Sequence, residues 1–346
     1  MDKRSTPSLF FGGTAYLGIP QNEEFRKLVF KGIELYGVNH GASRNNNITL
    51  DIFSIAEAEA AKRFKAEDSI LVSSGYLAAQ LVVQQYFESH LLIYAPDTHP
   101  ALWIGSPKAP RIRFSEWVEK TINLINETDK PVLIISNSLN NLIPEIYDFD
   151  WLKRIDSSRK VVLLVDDSHG IGITGVQGAG VYSRLPSLPN ITSFVIASMA
   201  KALGFDAGLI LGNSAGIQKL RSSPVYVGSS PPSPGMLYAF VNAGELYAKE
   251  LIKLRRTLRL FTDLLESTTN LFFINDFPVF LLLDDQVAAD LIKNGINISS
   301  FPYPDPKGKP IHRIVISSIH SREELEILAN AINMVYRSSN GISISS

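Results

Sequence analysis

Residues 161–180, VVLLVDDSHGIGITGVQGAG, run through five apolar positions and then set Asp166, Asp167 and His169 together ahead of a series of glycines. Buried acids and histidines are costly unless paired, so their arrival at the end of an apolar run asks for a ligand. A metal is one partner, but the remaining five histidines show no ligand spacing and cysteine is absent. A nucleotide with its magnesium is a second, because DDSH resembles an acidic Walker B strand end. That chemistry requires a glycine-rich loop closing on Gly-Lys-Ser/Thr, and the only Gly-Lys pair, Gly308 and Lys309, is followed by Pro310. A third partner is a pyridinium ring, whose nitrogen keeps its proton beside a carboxylate.

The third reading finds its complement further on. The apolar run SFVIAS (193–198) is followed by Met199, Ala200, Lys201 and then Ala-Leu-Gly. Lys201 alone reads as a solvated charge at a strand end. The order acid, histidine, strand, Ser-x-x-Lys turns it into a candidate amine for bonding a carbonyl cofactor.

These residues need a scaffold, and the chain supplies one. SILVSSG (69–75), LLIYAPD (91–97), PVLIISN (131–137), VVLLVDD (161–167), SFVIAS (193–198) and AGLILGN (207–213) read as strands covered on both faces, since uninterrupted apolar runs suit such strands. Helical patterns such as AEAEAAKRFKA (56–66) and YLAAQLVVQQYF (76–87) alternate with them, which implies an α/β fold with a mostly parallel sheet. Ligands of such sheets bind beyond the carboxyl ends of the strands, where Asp166 and His169 fall. From residue 236 the texture changes to one long helical stretch (236–267), then PVFLLLDD (278–285), HRIVISSI (312–319) and the helix SREELEILANAINMVYR (321–337), an α+β arrangement.

Composition narrows the classes. The 346 residues are 45% hydrophobic and 10% aromatic, enough for one large domain and a smaller one. With 33 basic and 34 acidic residues and no long single-sign block, neither nucleic acid nor an acidic membrane is an expected partner. No stretch approaches the ~20 apolar residues of a membrane span, and MDKRSTPSLFFGG does not read as a targeting segment, so a soluble cytoplasmic protein is expected.

Taken in order from YLGI at Tyr16 to HSREEL at His320, the motifs resemble the α-oxoamine synthase family of fold type I pyridoxal-phosphate (PLP) enzymes. GASR (41–44) resembles the family's Gly-x-Ser-Arg, SSGYLAA (73–79) its Ser-Gly-aromatic turn, and DTHPAL (97–102) its Asp-x-x-His-like segment. DDSHGIGITGVQGAG matches Asp-Glu-Ala-His with spaced glycines, SMAKALG (198–204) matches Thr-x-x-Lys-Ala-Leu-Gly, and GSSPPSP (228–234) matches a Pro-Pro stretch. The resemblance implies a three-layer fold type I transferase with a smaller α+β domain formed by the C-terminal region and the N-terminal segment. Its expected bounds are 1–40 for the N-terminal segment, 41–235 for the PLP-binding domain and 236–346 for the C-terminal domain.

Residue roles follow from the same resemblance. Lys201 is expected as the Schiff-base lysine and α-proton acceptor, Asp166 as the partner of the pyridine nitrogen, His169 as a hydrogen-bond donor to the phenolic oxygen, and His99 as the ring-stacking residue. Gly75 and Tyr76 are expected to offer backbone N–H groups to the phosphate, joined by Ser198 and, across a subunit interface, Ser229. Arg313 is expected to grip the amino-acid carboxylate with help from Thr14, and no metal is implied. The activity implied is condensation of a small amino acid with an acyl-CoA or acyl-carrier thioester, with decarboxylation, in a homodimer with shared sites. An aminotransferase or lyase on the same fold, and a non-catalytic PLP-binding protein, are the other readings.

The chain departs from the family pattern at several places. Thr14 stands for an asparagine, Ile311 for an arginine, Gly228 for a hydroxyl residue, and NNNIT (45–49) for a Ser-Gly segment. In SNSLNNLIPE (136–145) the serine expected near the cofactor falls on Ser138 or, without a gap, on Asn137. A leading helix common in the family also reads as missing.

Overall fold

The computed structural model describes residues 9–43, 46–107, 109–267, 269–303 and 305–339. Two compact units emerge, one of Ile19–Asn140 and Ile146–Ala248, the other of Met1–Gly18, Asn141–Glu145 and Lys249–Ser346.

The larger unit is built on a six-stranded sheet, in the order Asp68–Val72, Gly208–Gly212, Ile191–Ser198, Val161–Asp166, Val132–Asn137, Leu91–Tyr94. Leu91–Tyr94, Val132–Asn137, Val161–Asp166 and Ile191–Ser198 pair in parallel. Gly208–Gly212 runs antiparallel to both its neighbours. The five residues 161–165 are all buried, as a strand covered on both faces requires, and burial relaxes only at Asp166.

Helix Gly75–Tyr86 packs Ala78, Ala79, Leu81, Val82 and Val83 into the core that covers this sheet. Its first turn is fixed by Ser74, whose hydroxyl accepts from the Leu77 N–H at 3.2 Å. Helices Glu23–Tyr36 and Pro234–Asn242 meet at Gly32 and Gly235, and a Cβ on Gly32 would lie 2.4 Å from the Gly235 carbonyl oxygen. The expected single helix over 236–267 is instead two, Pro234–Asn242 and Gly244–Leu264. The break falls at Asn242-Ala243-Gly244, where two of three residues are weak helix formers.

The smaller unit carries a five-stranded sheet in the order Leu9–Phe11, Ile296–Pro302, Pro310–Val315, Val279–Leu282, Leu271–Phe272. The first pair is parallel and the rest antiparallel. Helices Asp285–Lys293 and Arg322–Ser339 complete it. Among the described residues no helix is long and apolar enough to cross a membrane.

Candidate active site

The two aspartates that end strand Val161–Asp166 do different work. Asp166 is half-buried, lies in register with Asn137 of the neighbouring strand, and accepts from the Ser168 N–H at 2.9 Å. Asp167 points to the interior, where its Oδ2 accepts from the Val181 N–H at 2.8 Å and closes the glycine-rich loop on itself. Only glycine leaves room for it: a Cβ at Gly170 or at Gly180 (φ +75°) would come within 2.1 and 2.2 Å of its oxygens. Burial pushes the Asp167 carboxyl up to about 7, against the pull of Ser138, the Val181 N–H and Arg184. Asp166 is therefore the carboxylate presented at the strand end, and Asp167 holds the loop that follows.

An anion cradle sits beside it. The N–H groups of Gly75 and Tyr76 open helix Gly75–Tyr86 and have no intrahelical carbonyl to bond. A Cβ on Gly75 would lie 2.8 Å from the Ser198 Cβ, and one on Gly208 would lie 2.0 Å from the Ser74 carbonyl oxygen. Glycine at both places lets the helix start close against the end of strand Ile191–Ser198. Ser198 is fixed through its backbone, its N–H donating to the Ser168 Oγ at 2.8 Å, so its hydroxyl is not needed to hold the strand. A helix N-terminus with an adjacent hydroxyl suits a phosphate.

Lys201 is half-buried in a tight loop after the same strand. That loop is held by Met199 N–H to the Ala207 carbonyl (2.9 Å), by Gly204 at φ +81°, and by the buried Tyr247 hydroxyl donating to the Leu203 carbonyl at 3.0 Å. His99 caps the short helix Pro100–Leu102, and its Nδ1 accepts from the Ala101 N–H at 3.1 Å, which leaves the proton of the neutral ring on Nε2. Its pKa is held below the usual histidine range by desolvation first, with Asp166 raising it and Lys201 lowering it further. One histidine thus feels both the acid and the amine. His169 is half-buried on the loop after Asp166, and Ser229 donates its hydroxyl to the Tyr226 carbonyl at 2.7 Å within its own chain.

In the smaller unit, Arg313 is a buried cation on strand Pro310–Val315. Its Nη1 donates to the Asn141 carbonyl at 3.3 Å, the Phe301 ring lies 5.3 Å from its guanidinium carbon, and its Nε has no partner. Desolvation lowers its pKa, and no described carboxylate pairs with it. A buried cation in that state suits an external carboxylate. Tyr16, fully buried in the same unit, has its hydroxyl pKa raised by desolvation. Thr14 is half-buried two residues before it. His320 is a structural tie: its Nδ1 accepts from the Ser317 N–H and its Nε2 donates to the Phe10 carbonyl, both at 3.0 Å.

The larger unit therefore sets the start of helix Gly75–Tyr86 against Ser198, and places Asp166 and Lys201 where both act on the charge of His99. Arg313 and Thr14 belong to the smaller unit. Arg44, the last residue of the Gly-Ala-Ser-Arg motif, lies outside the described residues. Between Asn137 and Ser138, the strand end leaves Asn137 half-buried and buries Ser138, whose N–H donates to the Asp166 carbonyl at 2.8 Å. Sequence reasoning passed over Ser168 and Tyr247. The serine's bond spans 30 residues to the Ser198 N–H, and the tyrosine lies 44 positions from the carbonyl it binds.

A surface groove of about 680 Å³ at the amino ends of the parallel strands, lined by Tyr182, Pro186, Leu188, Thr192 and Asn213 among others, holds none of these residues. Among the described residues no group of histidines and acids could hold a metal ion.

Comparison with known proteins gives this geometry relatives. The chain is 26% identical to 8-amino-7-oxononanoate synthase of Thermosipho melanesiensis, covering 90% of this chain and 84% of the relative. It is 25% identical to the Petrotoga mobilis protein of the same name, covering 93% and 87%. Among solved structures, Sphingomonas wittichii serine palmitoyltransferase superposes with a TM-score of 0.79 at 18% identity, covering 97% of this chain and 88% of that one. The 8-amino-7-oxononanoate synthase of Francisella tularensis gives 0.71 at 18%, covering 96% and 99%. At such identity these structures establish the fold, which is the one expected. The model of the aminotransferase class I and II family matches residues 16–332, nearly the whole chain, and the protein belongs to that family.

Proposed function

We propose that this protein is a PLP-dependent acyltransferase that joins a small amino acid to an acyl thioester with loss of CO₂, working as a cytoplasmic homodimer with shared sites. The observation that carries the reading is the meeting, at one end of one sheet, of an anion cradle at Gly75 and Ser198 with Asp166, Lys201 and His99. The residues present fit the cofactor. A solved structure of SPT with PLP shares the fold, and 8-amino-7-oxononanoate synthases are among the relatives matched over most of the chain.

In this reading Gly75, Tyr76 and Ser198 hold the phosphate, with Ser229 contributing to the neighbouring subunit's site. Lys201 would be the amine that holds the cofactor's aldehyde carbon. Bound PLP supplies the electron sink for negative charge at the amino acid's α-carbon. Asp166 holds a proton at the ring nitrogen, since a fixed carboxylate raises that nitrogen's pKa. His169 would hold the phenolic oxygen by a hydrogen bond, and His99 would support the ring. Lys201 Nζ, as the free amine, takes the α-proton. Arg313 binds the substrate carboxylate in bidentate fashion, with Thr14 at its margin. The α-carbon would then bond the thioester carbonyl carbon as the C–S bond breaks, the thiolate leaving with the proton that Lys201 had taken; departure of the carboxylate as CO₂ would leave its electron pair at the α-carbon, which would take a proton from water to give the amino ketone.

The test is a paired assay of the PLP-loaded protein with glycine, alanine or serine against a panel of acyl-CoAs. Thiol and CO₂ released one for one, only when both substrates are present, is the expected result. Amino-group exchange with a keto acid, without thiol release, overturns the reading in favour of an aminotransferase.

A further inference from the structure

The loop that carries His99 is held by an unusual set of bonds. Asp97 sits at φ +54°, a left-handed conformation that a non-glycine residue keeps only where its surroundings enforce it. Asn137, at the end of strand Val132–Asn137, enforces it from both ends of one amide: its Nδ2 donates to the Asp97 carbonyl at 2.7 Å, and its Oδ1 accepts from the His99 N–H at 3.3 Å. Asn140 adds a third bond, its Nδ2 donating to the Asp97 Oδ2 at 2.9 Å. Asn137 stands in register with Asp166, so the amide that grips the histidine loop grows from the position beside the acid. At the loop's far side, Gln80 donates to the Ala101 carbonyl at 2.7 Å and the Trp103 indole donates to the Thr98 hydroxyl at 3.1 Å.

Resting on the cofactor reading above, we propose that Asn137 is a positioning residue that aims the His99 ring at the bound cofactor. The chemistry explains what an amide does at a position where the resemblance, read without a gap, implies a hydroxyl. A serine hydroxyl has one short arm with a single proton. The amide spans the gap and offers a donor and an acceptor in opposed directions, which is what a carbonyl at residue 97 and an N–H at residue 99 require. With both ends spent on the loop, Asn137 is a support of His99 and not a direct ligand of the ring.

A double-mutant cycle between Asn137 and His99 tests this, read by PLP affinity and by the visible circular dichroism of the bound cofactor. Asn137→Ala is expected to weaken PLP binding about tenfold, the size of two lost neutral hydrogen bonds, and to cut the visible dichroism by more than half. Asn137→Ser should fall between it and wild type. In a His99→Ala background Asn137→Ala should change neither readout by more than about twofold, because its effect passes through the missing ring. Effects that simply add in the cycle overturn the proposal. Should Asn137→Ala fail to fold by thermal melting of the PLP-free chain, Asn137→Asp takes its place in the same cycle, since it keeps the side chain's size and the acceptor for the His99 N–H while losing the donor to the Asp97 carbonyl. A wild-type protein that binds no PLP overturns the cofactor reading together with this proposal, whereas bound PLP with an additive cycle overturns the proposal alone.

Discussion

The strand ends of the larger unit and the strand that carries Arg313 in the smaller unit treat buried charge in opposite ways. Around Asp166 the protein supplies its own partners: the Ser168 N–H holds its carboxylate, Asn137 and Asn140 hold the neighbouring loop, and Asp167 is seated among glycines. Arg313 has one long bond to a carbonyl, an aromatic ring, and an unpartnered Nε. Asp166, half-buried and held by a backbone N–H, is oriented by the protein itself, and Asp167 keeps its Oδ2 on the Val181 N–H while its Oδ1 lacks a hydrogen-bond partner. A buried guanidinium short of an anion gains most from a ligand that brings one. On the proposed function, the first region would hold the chemistry and Arg313 the substrate carboxylate.

Substitutions should separate the two. Asp166→Ala is expected to have the largest effect, lowering turnover by ~10³-fold or more with PLP still bound, because the anion cradle and Lys201 are untouched. Cofactor content by absorbance beside steady-state rates checks it, and an active variant would move the role to Asp167. Arg313→Ala should raise the amino-acid KM by about 100-fold, the scale of a lost bidentate charged pair. Arg313→Lys should recover only part, since a lysine cannot form the fork. A normal KM in both variants would make Arg313 a structural cation and dissolve the contrast.

Smaller effects test the supporting residues. Asp167 has a folded-state pKa near 7, raised above the ordinary carboxylate value of 3.8. The stability it contributes as the protonated acid is fully present below the unfolded pKa and is lost as pH rises through about 7. Asp167→Asn keeps an acceptor for the Val181 N–H and cannot ionise. Its melting temperature should therefore hold up better than wild type between pH 4 and 7, measured by thermal scans across that range, and parallel curves would refute the assignment. Ser198→Ala should cost the least, about fivefold in PLP affinity for one hydroxyl bond, with the melting temperature of the PLP-free chain unchanged.

The difference between the regions also marks what could be read from the chain. The buried run VVLLV, the lysine after SFVIAS and the glycine after Ser74 are local patterns, so the mostly parallel sheet and the positions of these residues at its strand ends were legible. The glycine at 75 carries its reason in its type, because nothing larger fits against Ser198. The Asn137 to Asp97 bond spans 40 residues, and neither side chain announces it. Strand Leu9–Phe11 is three residues long and Ile296–Pro302 reads INISSFP, too polar to stand out as a strand. Both form because the smaller sheet gives their backbones partners, and the antiparallel course of Gly208–Gly212 is likewise set by its neighbours.

The central claim is that the amine of Lys201 is the cofactor's anchor, and one measurement reaches it directly. The protein is incubated with PLP, reduced with borohydride, digested, and mapped by mass spectrometry. A single phosphopyridoxyl modification on Lys201, absent from Lys201→Ala, is the predicted result. A modification on another lysine, or none at all after incubation, would contradict the account.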